Sequence, residues 1–110
     1  MATLDFRKSK KTYLNVTLPD EKETKLAVLQ PTKELFTKMI EMSSRVSAVN
    51  GSDLSALDEV YEVCAELISR NKQGVSYTKE QVEKLLDFED IVLFLNTYST
   101  FVGEIMRGKN

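Results

Sequence analysis

The sequence predicts an α+β fold that is mostly helical, an N-terminal β-hairpin followed by about four helices. Leu14, Val16 and Leu18 alternate with Tyr13, Asn15 and Thr17, the period of a strand with one face buried. From Thr32 onward the apolar residues instead recur at steps of three and four, the period of a helix face. The strand pattern is confined to one end of the chain and does not alternate with helices, which argues against a parallel α/β sheet.

Residues 1 to 12 carry no sustained period and are expected to form a flexible basic arm, with residues 13 to 110 a single domain. Pro19 ends the first strand. After the polar turn Pro19-Asp20-Glu21-Lys22-Glu23, the segment Thr24 to Leu29 supplies Leu26, Val28 and Leu29 for a second strand folding back on the first. Such a hairpin is marginal alone and has two open edges. It is therefore expected to pack on the helices, and it could accept another strand.

Pro31 bars the second strand from continuing, and Thr32 is available as N-cap of the first helix, which should stop near Asn50-Gly51. Within it Leu35, Met39, Met42, Val46 and Val49 follow a 4-3-4-3 spacing, with Phe36 and Ile40 alongside. This is a two-heptad seam, too short for a coiled coil and read first as a core-facing stripe. Ser52 or Asp53 caps the next helix, whose apolar set is Leu54, Leu57, Val60, Tyr61, Cys64, Leu67 and Ile68. Its outer row of Asp58, Glu59, Glu62 and Glu66 is a solvated face that could also receive a basic partner. Asn71-Lys72-Gln73-Gly74 ends this helix. Thr78 with Gln81 makes a capping box for a short third helix holding Val82, Leu85 and Leu86.

Asp87 restarts the chain as the N-cap of the last helix, with Glu89 and Asp90 in the first turn facing the positive end of the dipole. Ile91, Phe94, Leu95, Tyr98, Phe101, Val102 and Ile105 form one face. Phe88, Val92 and Met106 fall beside it and widen it to roughly half the circumference, more than one neighbour needs. The broad stripe implies more than one partner. Leu93 points away from it, with Asn96, Thr100 and Glu104.

With 110 residues, 42% of them hydrophobic and 29% charged, the chain has the balance of one globular domain. No stretch approaches the length of a membrane span and no apolar leader precedes the first charges, so a cytoplasmic location is expected. Net charge is −2 but uneven: residues 1 to 38 hold eight basic against five acidic side chains, residues 39 to 110 seven against twelve. The acidic helical part works against broad nucleic-acid binding, and only Arg7, Lys8, Lys10 and Lys11 form a basic cluster.

Catalytic patterns are thin. There is no histidine to assemble the usual zinc or copper sets or to activate serine or cysteine, and the lone Cys64 sits on an apolar helix face, where an inert buried thiol is expected. The four glycines are too scattered for a dinucleotide fingerprint or a phosphate loop. Asp87, Glu89 and Asp90 do not follow the EF-hand pattern, and a capping role accounts for them. No cofactor, metal or catalytic residue is assigned. What remains is surplus apolar surface, the mark of self-association or of holding another chain.

The hairpin followed by Pro31-Thr32-Lys33-Glu34-Leu35-Phe36, the acidic-apolar run Leu57 to Ile68, and Phe88-Glu89-Asp90-Ile91-Val92-Leu93-Phe94 with Tyr98 and Phe101 resemble the tail assembly chaperones of long-tailed phages and prophages of Gram-positive bacteria. The likeness covers most of residues 13 to 106 and lies in pattern and segment order. It implies a small non-catalytic protein of the host cytoplasm, absent from the mature virion, that coats the aggregation-prone tape measure protein and self-associates along it. That family often makes a longer product by ribosomal frameshifting, and the closing Lys109-Asn110 can be encoded by AAA AAC, which after an A is slippery. On this reading the partner-binding residues are Leu35, Met39, Met42, Val46, Val92, Leu93, Phe94, Phe101 and Met106, with the hairpin edge as a further candidate. Two other readings compete: an interaction or regulatory module, antitoxin-like, using the basic arm on DNA, and an enzyme built on tyrosines, lysines and carboxylates.

Overall fold

A computed structural model describes residues 2–8, 11–48 and 54–108, without the side chains of Lys8, Ser43, 45–48, 54 and 55. The helix stop expected at Asn50-Gly51, the cap expected at Ser52 or Asp53, the Val49 end of the seam and Lys109-Asn110 lie outside the described residues. The element order follows the expectation: a 3-10 turn at Phe6–Lys8, strands β1 (Leu14–Thr17) and β2 (Lys25–Val28), then helices α1 (Lys33–Ala48), α2 (Leu54–Ser69), α3 (Lys79–Leu85) and α4 (Phe88–Met106).

The strands pair antiparallel, Leu14 opposite Val28 and Thr17 opposite Lys25. Alternation does what the pattern requires. Leu18, Leu26 and Val28 are buried in the core with Leu14 and Val16 packed against it, while Asn15, Thr17 and Lys25 are exposed. The Asp20 carboxylate fixes the turn by accepting the Thr24 N–H at 2.8 Å and its hydroxyl at 2.5 Å, and these donors hold the Asp20 carboxyl below the usual carboxylate range. Glu23 takes a left-handed φ of 49° inside that closed loop.

The sheet differs from the expectation of two open edges, because β2 is covered. Leu29 N–H donates to the Arg70 carbonyl at 2.7 Å, Lys72 N–H to the Ala27 carbonyl at 2.9 Å, and Ala27 N–H to Gln73 Oε1 at 3.0 Å. The chain leaving α2 runs back along β2 because Asn71, buried, holds it there. Its amide donates to the Ile68 and Val75 carbonyls at 2.8 and 2.7 Å and accepts from Val75 N–H at 3.0 Å. Gly74 supplies the left-handed φ of 73° that the reversal needs.

Each helix start is legible in its cap. Thr32 Oγ accepts from Leu35 N–H at 3.2 Å. Thr78 and Gln81 satisfy one another's backbone N–H at 3.1 and 2.8 Å, and Asp87 and Asp90 do the same at 2.9 and 3.1 Å. Leu86 breaks the run between α3 and α4 by turning extended. One core cluster takes Leu35, Met39 and Met42 from α1, Val60, Cys64, Leu67 and Ile68 from α2, Val82 from α3 and the stripe of α4.

Candidate binding surface along the last helix

The stripe of α4 is consumed by the fold. Ile91, Phe94, Leu95, Tyr98, Phe101 and Val102 are buried, and Ile105 packs partly against them. The flank that widens the stripe is not. Phe88 is 57% exposed, Val92 51% and Met106 75%, and Leu93, on the far side of the stripe, is 66% exposed. Excess apolar surface is therefore real but narrower than the whole helix: it lies on two shoulders either side of a buried seam.

This corrects the expected binding set. Leu35, Met39 and Met42 are buried, as are Phe94 and Phe101, so none of the five stands out from the surface. The described part of the α1 seam, Leu35, Met39 and Met42, joins the core cluster with residues of α2, since neighbouring helices bury each other's apolar rows. The side chain of Val46 lies outside the described residues. Val92, Leu93 and Met106 keep the exposed position expected of them. Phe88 belongs with them, its ring 6.4 Å from that of Tyr61, and its place beside the stripe in the helical wheel is the signal that marks it.

Each shoulder borders a hollow. On one side Leu93, Phe94 and Thr97 face β1 across a groove of about 250 Å³ that has Leu14, Val16 and Leu18 on its other wall and Ile68 and Leu86 below. Asp90 is its only ionisable group, and it is tied to the α4 N-terminus by the capping box. Near the other end of α4, Val102, Ile105 and Met106 line a second hollow of about 270 Å³ with Phe36 and Pro31. Both are walled chiefly by carbon and suit apolar side chains of another polypeptide. A third hollow, about 570 Å³ between α1, α2 and the start of α3, is lined by charges of both signs, Glu34, Lys38, Glu62, Glu66, Arg70 and Lys79, with Lys38 and Glu66 3.8 Å apart.

The reactive groups are occupied elsewhere. Cys64 is fully buried, and burial pushes its thiol up to about 12, the state of an inert core residue. Burial likewise raises Tyr98, whose hydroxyl donates to the Leu29 carbonyl at 2.6 Å. In the arm, the Arg7 guanidinium donates to the Asp5 carboxylate at 3.1 and 3.0 Å, so one charge of the basic cluster has a partner of its own. Among the described residues no three His, Cys, Asp or Glu side chains converge as a metal site, and no helix is long and apolar enough to cross a membrane.

The class these features define is a small, mostly helical α+β domain with exposed apolar side chains along its last helix. No family model, curated protein or solved structure matches the chain.

Proposed function

We propose that this chain is a non-catalytic binding protein, a tail assembly chaperone that coats and solubilises the tape measure protein while a phage tail is built, in the host cytoplasm and outside the mature virion. The observation that carries the reading is the exposed pair of shoulders on α4. Phe88, Val92 and Met106 on one side and Leu93 on the other stand clear of a helix whose remaining apolar face is buried. Covering such side chains is worth about 1.5–3 kcal/mol each when complete, enough in sum for an amphipathic client to be held and released. The grooves beside them offer the client's side chains a place to enter. The sequence resemblance supplies the identity of the client.

Co-expression with the product of the very long helical reading frame of the same tail cluster tests this. The expected result is a client that stays soluble and co-elutes with the chain, and a Leu93→Glu/Met106→Glu variant that folds but leaves the client in the pellet. An insoluble client with wild-type chain, and no complex on size exclusion, overturns the reading. A salt-steep gel shift with duplex DNA in place of client binding would favour the regulatory alternative.

A further inference from the structure

β1 has an edge that nothing among the described residues covers. Leu18 N–H donates across the hairpin to the Thr24 carbonyl at 2.8 Å, so even-numbered positions of β1 turn their backbone groups toward β2. Asn15 and Thr17 turn theirs outward, where no group among the described residues meets them. Edge strands are ordinarily blunted by a charge, a proline or a bulge. From Thr12 to Leu18 this one has none, and only Pro19, the next outward position, closes it.

We infer that β1 is a self-pairing edge through which two copies of the chain dock antiparallel about a two-fold axis, joining their hairpins into one continuous sheet. The charges at its two ends select a second copy as the occupant. Lys8, Lys10 and Lys11 precede β1 in the sequence, the Arg7 before them being paired with Asp5, and Asp20, Glu21 and Glu23, with Lys22 alone against them, follow it. Antiparallel self-pairing lays the basic end of each strand along the acidic turn of the other, twice by symmetry, whereas parallel pairing would set like charge on like.

One register satisfies the outward groups of Asn15 and Thr17. With Val16 opposite its counterpart, Asn15 of each copy faces Thr17 of the other and the two exchange both N–H to carbonyl bonds. Leu14 then lies opposite Leu18 on the inward face, with Lys11 of one copy toward the acidic turn after β1 of the other. This inference does not depend on the tape-measure reading, because its readout is the mass of the chain by itself.

Light scattering coupled to size exclusion on the full chain, across a concentration series, tests it. A wild-type dimer is expected, with Asn15→Pro monomeric at every concentration. Proline removes an outward N–H that no intrachain bond uses, so circular dichroism of that variant should match wild type. Lys11→Glu, an exposed change, should weaken the dimer about tenfold by turning two attractions into repulsions, and adding Glu21→Lys should restore it. A monomeric wild type, a dimer unchanged in both Asn15→Pro and Lys11→Glu, or a strand edge that takes up only client peptide overturns the inference. Should Asn15→Pro fail to fold, the Lys11→Glu and Glu21→Lys pair decides the question alone.

Discussion

Tyr98 and Leu29 are joined by a hydrogen bond of 2.6 Å, the tyrosine hydroxyl donating to the backbone carbonyl, across 69 residues of sequence. Tyr98 is fully buried between the rings of Phe94 and Phe101, whose centroids lie 5.6 and 5.7 Å away. The bond fastens the middle of α4 to the end of β2, and so sets where the two shoulders of α4 stand relative to the hairpin. Removing the hydroxyl while keeping the ring isolates it. Tyr98→Phe should cost about 1 kcal/mol, because the partly buried Leu29 carbonyl loses its donor, and thermal unfolding should register the loss. An unchanged melting temperature would mean that the carbonyl finds another partner.

Asn71 does for β2 what the register of β1 cannot. Its three side-chain bonds hold the 70–73 segment on the strand, so Asn71→Ala should destabilise the fold by about 2–3 kcal/mol and expose the edge it covers. Hydrogen exchange should show the Leu29 and Lys72 amides losing protection before those of α2. Uniform loss across the chain would place Asn71 in the global core and not at a local clasp.

Neighbours on α4 should respond oppositely. Leu93→Ala, at a side chain 66% exposed, should alter stability by less than about 0.5 kcal/mol, whereas Phe94→Ala, one residue on and buried, should cost about 3–5 kcal/mol. Denaturant melts of the two separate a contact surface from a core. If Leu93→Ala proved as costly as its neighbour, the shoulder would belong to the fold.

Alkali should find the buried thiol. The folded Cys64 is raised above its ordinary value of 9.0 to about 12, so the unfolded chain loses that proton first. The contribution is whole below about pH 9 and is lost as pH rises toward the folded value, with Tyr98, also raised by burial, acting in the same direction. Stability should therefore fall with pH above 9, and less steeply in Cys64→Ala. Native chain near pH 8 should react with an aromatic disulfide reagent only at its rate of opening; immediate labelling would contradict the burial.

What the sequence determined by itself was local. The two-residue alternation around Val16, the reciprocal caps at Thr78 with Gln81 and Asp87 with Asp90, and the buried stripe of α4 follow from chemistry within a few residues, which any surrounding fold must respect. The choice among apolar rows was not local. Leu35, Met39 and Phe94 carry the same kind of oily side chain as Val92 and Met106. Only the packing of α1, α2 and the hairpin decided which were sealed and which left out. The sheet edges divide in the same way: Asn71, far along the chain, closed one by tertiary contact and left the other open, because a buried amide can gather backbone groups that no period in the sequence brings together.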